Sequence, residues 1–309
     1  MEYIYNNELN QRAKHLLFGK KKLTPGLIFT INLVLSTMTA FRKRDRTLMS
    51  RKYIIDGYSE KKLKLSIYQD KTENVSKKPV ILFFHGGAFM IKAGSHAHKL
   101  CEIYAKATGS IVVFVDYHLG PKHPIPCAFE DAWLALQWVH QNHLSLKVDI
   151  SKIIVTGDSA GGYIAANLAQ MAKDRNGPKI LFQLLVYPVI APFANTESMK
   201  RFDDTPGWNS HLSHEMFERY FNGENDSYNL MKRDLSRLPE AYIEAHEFDC
   251  LRDEAILYAS LLNEQGVKAH LETIKGSFHG ADIFMKTNFV KALVSKRIVA
   301  MNQILNQSD

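Results

Sequence analysis

Residues 153–162 read Ile-Ile-Val-Thr-Gly-Asp-Ser-Ala-Gly-Gly, and an alanine-rich stretch with helical spacing follows over 160–173. An apolar run entering G-x-S-x-G and leaving into a helix is the context in which a serine is lifted above a sheet edge. Small residues two positions before and two after Ser159 let the chain bend sharply enough to project its hydroxyl. The helix that follows points its N-terminus at the same place and favours negative charge developing there. Ser159 is therefore the candidate nucleophile, weighed against the plainer reading of a serine N-cap on a tight turn.

Outward from this turn, short β-rich runs lie at 52–58, 63–67, 80–84, 111–115, 183–187, 241–245 and 268–274, with 153–156 among them. Several are nearly continuous apolar, as strands covered on both faces must be. Helical patterns lie between them, near 96–108, 128–143, 160–173, 252–265 and 282–305. This alternation predicts an α/β fold with a parallel sheet and right-handed crossovers. Residues 190–235 break the pattern. They are rich in Pro, Asn, Asp and aromatics, hold one helical stretch near 213–221, and read as an insertion. The expected organisation is an N-terminal helical cap segment over 1–50 and a catalytic domain over 51–309 with a cap insertion at about 190–235.

A second signal follows the run 80–84: His85-Gly86-Gly87-Ala88-Phe89. Consecutive glycines after a strand free the backbone to aim N–H groups into a cavity, as an oxyanion hole demands. The N–H groups of Gly86, Gly87 and Ala160 are the candidate donors. His85 precedes the nucleophile and sits beside this loop, so a structural role is expected for it.

His85-Gly86-Gly87, Asp116-Tyr117, Pro121, His123-Pro124, Pro126, Glu130-Asp131, residues 157–162, Tyr187-Pro188, Asp249 with Leu251-Arg252-Asp253-Glu254, and His279 follow one another in this order. Over about residues 75–285 the set resembles the hormone-sensitive-lipase family of α/β-hydrolase esterases, the bacterial family IV type. The resemblance implies an eight-stranded, mostly parallel sheet flanked by helices, a helical cap built partly from the N-terminus, and a Ser/Asp/His triad that cleaves carboxylic esters. It assigns the triad to Ser159, Asp249 and His279, and the oxyanion hole to the backbone of Gly86, Gly87 and Ala160. The residues read alone agree: Asp249 lies past the run 241–245, at the carboxyl end where α/β sheets place their sites, and the chain order Ser, Asp, His fits. Glu244, Glu247 and Asp253 are the competing acids.

Three departures from the family pattern carry expectations. Ala88 stands where a third glycine is common and would alter fit without removing donors. His118 and Lys122 stand where Arg and Glu are usual, so a local ion pair is expected to be missing. Cys250 replaces the usual proline and is expected to loosen the loop holding Asp249. Neither metal nor organic cofactor is called for. His96, His98, His118 and His123 are close in sequence but show no zinc-type spacing.

The expected substrate is a small acyl ester of short to medium chain, with Phe193, Met199, Phe202, Trp208, Phe217, Tyr220 and Phe221 either roofing the pocket or packing the cap. The same triad would serve an amidase or formamidase, and a non-catalytic binding role on this fold is a further alternative.

The 309 residues carry a formal charge of +7, of which residues 1–50 hold +6. No nucleic-acid reader motif accompanies that charge, and nucleic acid is not an expected partner. Within the basic segment, Leu27, Ile28, Ile31, Val34, Leu35, Met38 and Phe41 are expected to line one face of an amphipathic helix. Two readings of it stay open: a solvated helix with basic ends, and weak peripheral contact with anionic membranes. Three scattered cysteines and a start without a basic, apolar leader point to a cytoplasmic location.

Overall fold

The computed structural model describes residues 3–16, 22–71, 77–222 and 227–307. Among them one sheet contains β1 (Leu48–Asp56), β2 (Lys62–Asp70), β3 (Lys78–Phe84), β4 (Ile111–Asp116), β5 (Val148–Asp158), β6 (Phe182–Val186), β7 (Glu240–Phe248) and β8 (Ala269–Phe278). The strand order is β1-β2-β4-β3-β5-β6-β7-β8. β2 pairs antiparallel with β1 and β4, and every other pair is parallel. The helices are α1 (Asn7–Ala13), α2 (Pro25–Ala40), α3 (Ser95–Thr108), α4 (Cys127–Gln141), α5 (His143–Leu146), α6 (Ala160–Asp174), α7 (Glu197–Arg201), α8 (Ser210–Phe221), α9 (Arg252–Glu264) and α10 (Asn288–Asn306).

Side-chain alternation along the strands divides the core into two layers. Val80, Leu82 and Phe84 of β3, with Ile111, Val113 and Val115 of β4, share a cluster with α4, α6 and α9. Ile81, Phe83, Val112 and Phe114 point the other way and pack with α3 and α10. Both faces of the central strands are thus covered, which accounts for their continuous apolar sequences.

The structure adjusts several expected boundaries. β1 begins at Leu48 because its register continues to a Leu48–Asp70 pair, and a 3-10 turn occupies Tyr58–Glu60. β8 continues to Phe278 and delivers the chain directly to His279. The region 190–235 holds α7 as well as α8, with the Thr196 hydroxyl capping α7 through the Met199 N–H. Lys20 and Lys21, part of the basic cluster, lie outside the described residues.

Helix α2 corrects the expected apolar face. Leu27, Ile28, Ile31 and Leu35 turn toward the protein, but Val34, Met38 and Phe41 are 52%, 57% and 86% exposed. Polar side chains set this rotation. The Asn32 amide donates to Met90 O (3.0 Å) and accepts the Lys92 N–H (2.8 Å), and the Thr39 hydroxyl donates to Ala93 O. No helix among the described residues is long and apolar enough to cross a membrane.

A buried ion cluster ties the end of the sheet to α10. Arg297 donates to Glu244 of β7 at 2.6 and 2.8 Å and to Asp282 at 2.5 and 3.1 Å. Burial alone would push the Glu244 carboxyl up, but Arg297 and His246 outweigh it and hold it down at about 2. Asp282 sits three residues beyond His279, so the cluster also anchors that loop. Replacing Arg297 with Met leaves two buried carboxylates without their cation and is expected to lower the unfolding free energy by about 3–5 kcal/mol. Urea denaturation checks this, and wild-type stability in Arg297→Met would contradict it.

Candidate active site

Ser159 occupies the single position between β5 and α6, at φ 55° and ψ −120°. The surrounding glycines are sterically required. A Cβ on Gly161 would run into the Phe84 carbonyl at the end of β3, and one on Gly157 would run into the backbone of Gly161. The elbow is also held from β6, through Ser159 N–H to Val186 O (2.9 Å).

His279 Nε2 lies 2.8 Å from Ser159 Oγ, and its Nδ1 lies 2.7 Å from Asp249 Oδ2. Because a carboxylate accepts, Nδ1 carries the proton in the neutral ring and Nε2 is left to accept from the serine hydroxyl. Asp249 is fully buried, and its other oxygen accepts the Leu251 N–H at 2.9 Å. The competing acids are engaged elsewhere. Glu244 holds Arg297, Glu247 accepts the Gly276 N–H (2.7 Å), and Asp253 accepts the Ser198 N–H (2.7 Å).

Cys250 does not leave the Asp249 loop loose. Its side chain is fully buried with Sγ 3.4 Å from Ser213 Oγ, and its carbonyl accepts the Ser198 hydroxyl at 2.9 Å. Packing from α7 and α8 replaces the rigidity a proline would give. Nor is the region around His118 without a partner: His118 Nδ1 lies 2.7 Å from Asp131 Oδ2, and its backbone N–H donates to the same oxygen at 2.8 Å.

The His85–Ala88 loop borders the serine. The His85 ring hydrogen-bonds Gly86 O (2.6 Å) and stacks on Tyr117 at 4.5 Å, while the Tyr117 hydroxyl donates to His85 O. These contacts order the loop. The Gly86 backbone lies against the Asp158 side chain. Among the described residues, no backbone acceptor holds the Gly86 or Gly87 N–H, and the Ala160 N–H opens α6, where no intrahelical acceptor exists.

A cavity of about 320 Å³ opens on Ser159 and His279. Its walls are mainly apolar, with Leu27, Ile31 and Leu35 of α2 on one side and Trp208, Leu212 and Ile283 on another. Of the seven residues considered for a roof, Trp208 alone reaches it. Met199, Phe202, Phe217, Tyr220 and Phe221 are buried in packing, and Phe193 packs against Phe217. Among the described residues no group of three or more His, Cys, Asp or Glu is placed to hold a metal ion. His98 instead meets the Tyr68 hydroxyl at 2.8 Å, and the His118 and His123 rings lie 4.9 Å apart.

A family model described as the alpha/beta hydrolase fold matches residues 81–283. The chain belongs to that alpha/beta hydrolase family. Esterase LipI of Mycobacterium tuberculosis is 38% identical over 212 residues, spanning 66% of each chain. Carboxylesterase NlhH of the same species is 37% identical over 210 residues, spanning 65% of this alpha/beta hydrolase and 66% of the relative. Among solved structures, a bacterial heroin esterase superposes with a TM-score of 0.86 at 26% identity over 98% of both chains. A hyperthermophilic esterase from Pyrobaculum calidifontis gives 0.83 at 29% identity over 96% of both.

Desolvation, with Asp282 nearby, pushes the Asp158 carboxyl from its ordinary 3.8 up to about 6, against the lowering effect of the Gly86 hydrogen bond. A carboxyl raised on folding keeps its proton longer in the native state. The stability it contributes is full below pH 3.8 and is lost as pH rises through about 6. The stability of the wild type minus that of Asp158→Asn is therefore expected to fall by about 2 kcal/mol between pH 4 and pH 7. Chemical denaturation across that range measures it, and a flat or rising difference would contradict the assignment.

Proposed function

We propose that this hydrolase cleaves carboxylic esters through an acyl-enzyme on Ser159. The observation that carries the reading is the unbroken chain Ser159 Oγ, His279 Nε2, His279 Nδ1, Asp249 Oδ2, facing an apolar cavity. The esterase names of its relatives and structural neighbours support it.

In this reading His279 takes the Ser159 proton as Oγ attacks the ester carbonyl. Asp249 fixes the ring tautomer and stabilises the imidazolium. The N–H groups of Gly86, Gly87 and Ala160 receive the developing oxyanion. One such donor is worth about 3 kcal/mol of transition-state stabilisation. Collapse breaks the bond to the leaving oxygen, which departs as the alcohol with the proton from His279. Water, deprotonated by His279 in turn, then releases the acid. The N-terminal segment and the insertion over about 190–235 act together as the cap, α2 and Trp208 lining the cavity from above.

The cavity's size and walls favour short to medium acyl groups. Ser159→Ala is expected to reduce kcat on 4-nitrophenyl butyrate by at least about 10⁴-fold. Activity that survives the substitution, or no activity of the wild type on any member of an acetyl-to-decanoyl series, would refute the esterase reading. A matched amide turned over faster than its ester would move the assignment to amide hydrolysis. Ile31→Trp narrows the α2 side of the cavity and is expected to lower kcat/KM for octanoyl relative to acetyl esters by at least about tenfold. An unchanged ratio would remove α2 from the acyl site.

A further inference from the structure

Helix α2 has two faces with different company. The inward one lines the cavity above Ser159, and the outward one covers nothing. From Pro25 to Ala40 the helix has no charged residue. Phe29, Leu33, Val34 and Met38 are between 52% and 69% exposed, and Phe41 at its C-terminal end is 86% exposed. Large apolar side chains grouped on one unpartnered helix are unlike the single exposed Leu or Ile normal on a protein surface.

What surrounds this face indicates its occupant. Against the C-terminal half of α2 lies a second cavity of about 440 Å³, walled by Arg42, Arg44, Lys52, Lys64, Lys92 and His98, with Asp116 as its acid. Arg44, Lys52, Lys64 and Lys92 are exposed at its margin. Arg42 is turned inward and bound to Glu102 at 2.5 Å. Ile54, 67% exposed on the edge strand β1, belongs to the same wall. Lys43 and Arg46 extend the basic surface beyond Phe41. An uncharged helix bordered by a cation-lined hollow matches the layering of an anionic membrane surface, with acyl chains meeting the apolar residues and headgroup phosphates meeting the cations.

We infer that α2 and the adjoining basic hollow form a docking surface for anionic lipid bilayers, with a lipid headgroup phosphate held among Arg44, Lys52 and Lys64. The helix lies in the interface plane. Its inner side continues into the cavity at Ser159, so the docked protein presents its substrate entrance to the lipid. The surface stands on its own, whether or not Ser159 turns over esters.

Co-sedimentation of the full chain with phosphatidylcholine vesicles, with and without phosphatidylglycerol, tests this. The wild type is expected to partition onto the anionic vesicles at least about tenfold more strongly than onto neutral ones. The triple variant Phe29→Gln/Leu33→Gln/Met38→Gln should fall to background on both. Arg44→Glu/Lys52→Glu/Lys64→Glu should lose the preference for anionic lipid. All the substituted side chains are exposed, and an unchanged thermal midpoint verifies the fold of each variant. No binding by the wild type, equal recovery from neutral and anionic vesicles, or wild-type binding by a folded apolar variant would overturn the inference. A dimer dissociated by the apolar variant, together with no vesicle binding, would instead make α2 a contact between copies of this chain.

Discussion

The close approach of α6 to the ends of β3 and β5 governs this molecule. At Gly157 and Gly161 the backbones meet with no room for a side chain, and Ser159 is held between them at φ 55°. That conformation costs on the order of 1–3 kcal/mol, which the surrounding packing must offset. The outcome is a hydroxyl standing clear of the sheet and beside a helix N-terminus. Substituting either glycine would push α6 away from the strands and lower the serine out of reach of His279.

The other two members of the chain arrive at the same end of the sheet by independent means. β7 and β8 are parallel neighbours, and the loops after them carry Asp249 and His279. Each loop is braced from behind. Ser198 and Ser213, from α7 and α8, hold Cys250 next to Asp249, and Arg297 on α10 holds Asp282 next to His279. The segment between β6 and β7 therefore reaches the site twice, supplying Trp208 to the cavity wall and bracing the Asp249 loop. The ion cluster works over a longer range, because the same guanidinium binds β7 through Glu244 and the histidine loop through Asp282.

Local patterns made most of this architecture legible in the sequence. Continuous apolar strands alternating with helices marked the parallel sheet, and glycines in fixed places around Ser159 and after His85 marked the backbone turns. Asp249 and His279 could be placed because chain order and strand ends are local features. Features set by tertiary contact were not legible. The face of α2 that turns inward is selected by Asn32 and Thr39 binding the 90–93 loop, partners about sixty residues away in sequence. Spacing alone placed Val34, Met38 and Phe41 on one face with Leu27, Ile31 and Leu35 because an uncharged helix gives hydrophobic periodicity little to distinguish. The effect of Cys250 was misjudged for a similar reason, since α7 and α8 brace its loop across the fold.

The central claim is chemical: in the proposed reaction Ser159 Oγ takes the acyl group, and His279 makes it nucleophilic. Diethyl 4-nitrophenyl phosphate transfers its phosphoryl group to such a serine and stops there. Peptide mass spectrometry after brief exposure, run beside His279→Ala, reads both parts of the claim. A diethylphosphoryl adduct on the peptide containing Ser159, formed stoichiometrically in the wild type and largely lost in His279→Ala, is the predicted result. An adduct on another residue, or one that forms equally fast without His279, would contradict it.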